Sequence, residues 1–243
     1  MSKVLIFGAT SAIAQECARL WVKENCSLVL IGRDESRLNT LAKDLRVRGA
    51  KEVDVKIWDF RNLNDITSFV SELTKDADRV LLAHGILGQQ DQMHSDSRLV
   101  EELFNINLTS SVVILNEVAA TFAKKNSGQL AVITSVAGDR GRQSNYIYGA
   151  SKAGLSVYTD GLAHRFANTP VQILNIKPGF VDTPMTADFK KGALWSKPLA
   201  IAERISKSLD GGKRGVVYTP GFWRWIMFII KHVPTKIFWK TKL

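Results

Sequence analysis

The sequence predicts a single α/β domain built on a doubly wound parallel sheet, and three observations carry that prediction. Short runs of strand-forming residues recur at positions 4–7, 27–31, 52–57, 79–83, 129–134 and 171–176. Helix-favouring segments alternate with them, an order that pairs strands in parallel with helices on both faces. The residues after several runs, including Gly8, Gly32, Gly85, Ser135 and Gly179, are the small and polar kind that open the carboxyl end of such a sheet to a ligand.

At 243 residues the chain suits one domain with a sizeable core and leaves little room for a second. Residues 1–220 are read as the Rossmann-type domain, and 221–243 as a basic, aromatic, amphipathic C-terminal tail of the same domain. Hydrophobic residues make up 45% and charged residues 23%, a globular balance without repeats or low-complexity tracts. Cys17 and Cys26 form neither a disulfide framework nor metal-ligand spacing, so no metal site is expected. Met1-Ser2-Lys3 leads into the first strand without the apolar stretch of a secretory signal, and a cytoplasmic location is the expectation. The net charge of +10 is uneven: seven Lys or Arg and no Asp or Glu fall in 211–243.

Strand 4–7 runs into Gly8-Ala9-Thr10-Ser11-Ala12-Ile13-Ala14 and then an amphipathic helix with Ala18, Leu20 and Trp21. Such a turn lets backbone N–H groups and the positive helix end meet a pyrophosphate. Strand 27–31 ends at Gly32-Arg33-Asp34. An acid at this place suits a bare ribose 2′-hydroxyl and an arginine suits a 2′-phosphate, so Arg33 favours NADP(H), with NAD(H) left open. Helix 35–47 leads to strand 52–57 and to Asp59, which is also suited to cap a turn near Asn62. Strand 79–83 reaches His84-Gly85; with no carboxylate partner in view, His84 is read as a structural residue lining the cofactor cleft. A long helical stretch, 97–125, holds Asn107.

Strand 129–134 places the Ser135 hydroxyl at its carboxyl end, where it could hold a carbonyl oxygen. Tyr148-Gly149-Ala150-Ser151-Lys152 opens a helix, so Tyr148 and Lys152 share one face with Cβ atoms about 5–6 Å apart. A nearby ammonium favours the ionised form of a phenol whose ordinary pKa is ~10, which makes Tyr148 the candidate general acid. Strand 171–176 ends in Lys177-Pro178-Gly179, a turn. The segment 184–198, with Met185, Phe189, Lys190, Lys191, Leu194 and Trp195, suits a lid over a substrate both apolar and anionic.

Ser135 thirteen residues before the Tyr148 of a Tyr-x-x-x-Lys motif, with Asn107 upstream, resembles the short-chain dehydrogenase/reductase family. That resemblance implies hydride transfer with a nicotinamide cofactor: Tyr148 donates the proton, Ser135 holds the oxygen, Lys152 tunes Tyr148 and contacts the nicotinamide ribose, and Asn107 organises a water relay. It also implies cofactor contacts from Gly8, Thr10, Ser11 and Ile13, from Arg33, from Asp59 at the adenine amino group, and from Ala83 and Gly85. Tyr148, Lys152, Pro178, Gly179, Val181 and Thr183 complete the implied set. The glycine loop departs from the family pattern, because Ala12 and Ala14 stand where two further glycines are usual. A cofactor-sensing protein without catalysis is the reading those missing glycines would favour, and the intact Ser135, Tyr148, Lys152 and Asn107 set argues against it.

Within the family, the segment 135–145 and the ending His232-Val233-Pro234 with Ile237-Phe238 are similar to the decaprenylphosphoryl-2-keto-erythro-pentofuranose reductases. This narrower resemblance implies reduction of a polyprenyl-phosphate 2-keto-pentofuranose to the arabinose lipid in cell-envelope polysaccharide synthesis. The reaction would be the second half of a 2-epimerisation begun by a separate flavin-dependent oxidase. Arg140 and Arg142 would then pair with the lipid phosphate. A soluble reductase of acyl, steroid or small carbonyl substrates stays open as the alternative.

The apolar run 225–230 is six residues, far short of the ~20 that cross a bilayer as a helix. Trp223, Trp225 and Trp239 with Arg224, Lys231, Lys236 and Lys240 have the composition of an interfacial anchor, and a peripheral position on the inner face of the cytoplasmic membrane is the expectation. A buried seam in a homo-oligomer is the competing use of the same residues. Nucleic-acid binding is not expected, because no recognition motif accompanies the charge.

Overall fold

The structure, a computed structural model, describes residues 1–241; the last two residues of the tail, 242–243, lie outside the described residues. Seven strands form one parallel sheet: β1 (Lys3–Phe7), β2 (Ser27–Gly32), β3 (Glu52–Ile57), β4 (Arg79–Leu82), β5 (Gln129–Ile133), β6 (Gln172–Pro178) and β7 (Gly215–Thr219). Their order across the sheet is β3-β2-β1-β4-β5-β6-β7. The chain moves outward from β1 on one side and then returns to continue from β4 on the other, and that reversal is where an open α/β sheet leaves its ligand crevice.

The helices are α1 (Ala12–Trp21), α2 (Glu35–Val47), α3 (Ile66–Thr74), α4 (Gln90–Ser95), α5 (Ser97–Phe104), α6 (Ser110–Lys125), α7 (Tyr146–Arg165), α8 (Pro198–Asp210), α9 (Trp223–His232) and α10 (Thr235–Phe238). Strand alternation sorts them into two layers. Val4 and Ile6 of β1 point to a core with Trp21 of α1, Leu38 of α2 and Ile205 of α8, while Leu5 and Phe7 point to the other with Val70 of α3, Leu115 of α6 and Leu155 of α7. Because both faces of β1 are buried, a one-residue slip would exchange all four side chains between the cores, so the register is held by packing.

Six of the strands and the doubly wound order agree with expectation. Helix α8 and edge strand β7 extend it: β7 is short and half exposed, with weak patterning. The helical stretch 97–125 is interrupted by a π turn at Asn105–Thr109, which carries Asn107. The tail folds back as α9 and α10, and Trp223 and Met227 are buried against Val136 in a small cluster of their own.

Candidate active site

Strand ends, turns and α7 enclose one cleft of about 460 Å³. Gly8, Thr10, Ser11 and Ile13 line it after β1, Arg33 after β2, Asp59 after β3, and Ala83 and Gly85 after β4. Ser135 enters after β5, Tyr148 and Lys152 from α7, and Pro178, Gly179, Val181 and Thr183 after β6. Arg142 also faces the cleft, whereas Asn107 lies below its wall and Arg140 points elsewhere.

The departure from the three-glycine pattern has a structural reason. Gly8 has φ +78, and a Cβ there would come within 2.5 Å of the His84 backbone nitrogen, so this glycine is required. Ala12 and Ala14 already lie in α1, and neither has positive φ. Ala14 is fully buried against the sheet, where a methyl group fits. The N-terminus of α1 and the backbone before it thus keep the form of a phosphate cradle.

At the other side of this cradle, Asp34 is engaged as the N-cap of α2 and accepts from the Arg37 backbone N–H at 3.0 Å. Its carboxylate caps the helix, and Arg33 and Arg37 line this end of the cleft beside it. Sequence reasoning missed Arg37, which donates to the Thr10 carbonyl at 3.3 Å; the available signal was a second cation in the first turn of the helix after Arg33. Asp59 lines the cleft and also accepts from Arg61 through both oxygens, the Oδ2 contact to Nε being 2.9 Å. The Arg61 hydrogen bond is the main reason its carboxyl sits below the usual range.

The chemistry gathers on Ser135, Tyr148 and Lys152. Ser135 has extended backbone at the end of β5, and its Oγ accepts from the Ala137 N–H at 3.0 Å, which fixes the hydroxyl at the cleft wall. Lys152 is buried, donates to the Ile133 carbonyl at 3.2 Å and is lowered to about 8 by burial. Its Nζ lies 5.9 Å from the centre of the Tyr148 ring. Burial pushes the Tyr148 phenol up to about 12, opposed by the Ser135 hydroxyl. This corrects the expectation of a phenol drawn toward ionisation: burial outweighs an ammonium at that distance, and Tyr148 holds its proton at neutral pH. A phenol that holds a proton is what a general acid requires.

Asn107 braces this group from beneath. Its Oδ1 accepts from the Ile86 N–H at 2.7 Å, and its Nδ2 donates to the Ile86 carbonyl at 2.8 Å and to Ser151 Oγ at 3.3 Å. The side chain therefore ties the loop after β4 to α7. Gly85 lies over it, where a Cβ would come within 3.1 Å of Asn107 Oδ1 and 3.3 Å of Lys152 Nζ. His84 is buried, shares Nε2 with the Ser110 and Ser111 hydroxyls at 2.9 and 3.1 Å, and stacks on Phe60. Burial, with Lys152 adding to it, lowers its pKa to about 3, so it stays neutral and structural.

Beyond Tyr148 the cleft is walled by the segment after β6. Asp182 N–H donates to the Ser196 carbonyl at 2.9 Å and Ser196 N–H to Phe180 at 3.0 Å, closing a loop whose Met185, Phe189 and Trp195 line the cleft. Arg142 stands in this cleft with only 9% of its surface exposed, and its Nε has no partner among the described residues. Asp139, the acid whose charge acts on it, is taken: Lys177 Nζ lies 2.6 Å from one oxygen and the Tyr218 hydroxyl donates to the other at 2.7 Å. Arg140, paired with Arg142 in the sequence reading, instead donates to the Ile230 and Val233 carbonyls at 2.5 and 2.7 Å and stacks on Phe238. The carbonyls left open at the end of α9 attract its guanidinium. The described residues contain no cluster fit to hold a metal ion.

A phosphate cradle, a pair of cations at one end and a Ser–Tyr–Lys set at the centre of a doubly wound sheet define a nicotinamide-dependent oxidoreductase. The short chain dehydrogenase family model matches residues 2–193. The chain belongs to that family and is an NAD(P)-dependent oxidoreductase acting on CH–OH groups. It is 32% identical over 240 residues to an uncharacterized oxidoreductase of Mycobacterium tuberculosis, covering 98% of this chain and 95% of the relative. A ketoacyl reductase of Nostoc is 27% identical over 232 residues, covering 88% and 77%. A short-chain dehydrogenase from Sphingobium yanoikuyae in complex with NADPH superposes with TM-score 0.83 at 21% identity, covering 97% of each chain.

Proposed function

We propose that this protein uses NADPH to reduce the keto group of a sugar carried on a polyprenyl phosphate, a 2-keto-pentofuranose in the first instance. The observation that carries the reading is Arg142, a buried residue whose Nε has no partner among the described residues, facing a cleft walled by Met185, Phe189 and Trp195. An uncompensated buried charge costs several kcal/mol, on the order of 3 or more, and a substrate phosphate would offset it. The apolar wall suits the lipid. NADPH in the nearby complexed structure and Arg33 with Arg37 at the adenosine end favour the phosphorylated cofactor, with NADH left open.

The cofactor, when bound, supplies the hydride. The backbone after Gly8 and the N-terminus of α1 would hold its pyrophosphate, and Arg33 and Arg37 its 2′-phosphate. Ser135 Oγ orients the ketone oxygen, Tyr148 gives that oxygen its proton, and buried Lys152 aids replacement of the proton. Asn107 keeps the loop after β4 and α7 in register while this happens.

The tail supports a membrane-bound substrate. Trp225, Phe228, Ile229 and Trp239 are exposed at 65%, 56%, 65% and 78%, and the surrounding stretch has no acidic residue. On this reading the protein lies on the inner face of the cytoplasmic membrane, works as a homo-oligomer, and receives its ketone from a flavin-dependent oxidase. The test is oxidation of NADPH and NADH by purified protein with a polyprenyl-phosphate 2-keto-pentofuranose in detergent, beside soluble acyl, steroid and small ketones. Turnover confined to the lipid sugar supports the reading; turnover only on soluble ketones refutes the substrate.

A further inference from the structure

Helix α9 touches both walls of the cleft. On the cofactor side, its Trp223 is 2% exposed and lies so close to Gly179 that the indole occupies the space any side chain there would need. The same ring meets Phe180 edge-on at 5.4 Å. On the substrate side, the loop that starts at Ser135 reaches α9 through Arg140, whose guanidinium is held by the carbonyls of Ile230 and Val233. Asp139, next to it, is fixed to Lys177 of β6 and Tyr218 of β7. A shift of α9 would therefore move the segment after β6 and the Ser135 loop together.

Among the described residues, nothing covers the opposite face of α9. Trp223 and Met227 point inward, while Trp225, Phe228 and Ile229 stand in solvent beside Arg224 and Lys231. In water nothing on that face holds the helix against the cleft. An anionic lipid surface would bury the apolar side chains and attract the cations, stabilising the seated position.

We propose that Arg140 and Trp223 are positioning residues through which lipid docking of α9 tightens NADP(H) binding. This rests on the membrane reading above and adds the regulation of the same cleft. Coupling between sites is reciprocal, so bound cofactor must strengthen lipid docking by the same factor.

The experiment measures NADPH affinity by fluorescence titration, with and without vesicles of mixed zwitterionic and anionic phospholipid, and vesicle partitioning by sedimentation, with and without NADPH. For the unaltered protein the expected result is about fivefold tighter NADPH binding on vesicles, and the same factor in partitioning. Arg140→Met leaves the outer face intact, so it should still sediment with vesicles while its NADPH affinity no longer responds to them. Trp225→Ala with Ile229→Ala should lose sedimentation and keep the affinity measured in buffer. Sedimentation with unchanged NADPH affinity overturns the coupling and leaves membrane docking intact; no sedimentation overturns docking and the coupling with it. A vesicle response retained in Arg140→Met overturns the role of that residue.

Discussion

Replacing Arg142 with Met tests the electrostatics of the substrate end in two ways that move in opposite directions. Arg142 is 9% exposed, makes no hydrogen bond through Nε among the described residues, and the acid whose charge acts on it, Asp139, is engaged by Lys177 and Tyr218. Burial lowers its pKa, the sign of a charge held against its solvation. Methionine is of similar length and apolar, so Arg142→Met should stabilise the ligand-free protein, on the order of the 1–4 kcal/mol gained when a buried ion pair is replaced by packed apolar groups. Two charge-assisted hydrogen bonds to a phosphate are worth about 3 kcal/mol together, so the same change should weaken an anionic prenyl-phosphate substrate about 100-fold. Urea denaturation of the cofactor-free protein gives the first quantity, and KM for the lipid sugar with turnover on a neutral ketone as the control gives the second. A variant that is less stable, with unchanged KM for the anionic substrate, would refute the reasoning, because the guanidinium would then be a satisfied structural group.

Three further outcomes follow from the centre of the site and the adenosine end. Tyr148→Phe should lower reduction by at least about 10²-fold while NADPH still binds, since only the proton donor is lost; near-normal turnover in a steady-state assay would exclude Tyr148 as the acid. Arg33→Asp should weaken NADPH about tenfold or more and shift preference toward NADH, read as the ratio of kcat/KM values for the two cofactors. Lys152 is lowered to about 8 in the folded protein, so between pH 8 and 10 the unfolded chain holds the extra proton and stability rises with pH. Relative to Lys152→Met, the cofactor-free protein should gain roughly 2 kcal/mol across that window in denaturation experiments, and a flat difference would show the ammonium to be solvated. Tyr148, raised to about 12, acts in the opposite sense only above about pH 10, where the unfolded phenol ionises first.

The parts of the site that could be read from sequence are those set by local geometry. Tyr148 and Lys152 meet because a helix brings i and i+4 together, and Ser135 reaches the cleft because β5 ends there. Gly8 was legible for the same reason, as a strand-to-helix turn needs its positive φ. Arg140 was not, since its partners lie 90 and 93 residues away and no pattern at Arg140 distinguishes it from Arg142. The contact of Trp223 with Gly179 was hidden likewise: composition grouped Trp223 with Trp225 and Trp239 as an interfacial anchor, whereas the fold turns it inward against Gly179 and Val136. The direction of the Tyr148 shift depended on how deeply α7 buries the phenol relative to its distance from Lys152, which spacing alone does not supply.

The loop from Ser135 to Asn145 shows how one short segment divides its charges among separate tasks. Asp139 and Arg142 lie three residues apart, and the charge of Asp139 acts on the guanidinium without a hydrogen bond between them. Lys177 from β6 and Tyr218 from β7 take both carboxylate oxygens, at 2.6 and 2.7 Å. Burial and Asp139 push the Tyr218 phenol up, so it keeps the proton it donates. The strands beneath the loop thus divide its charges: Asp139 anchors, Arg140 binds the tail, and Arg142 is left as a cation facing the cleft. On the proposed reading that cation would meet the phosphate of a lipid sugar, a contact that a neutral ketone would not make.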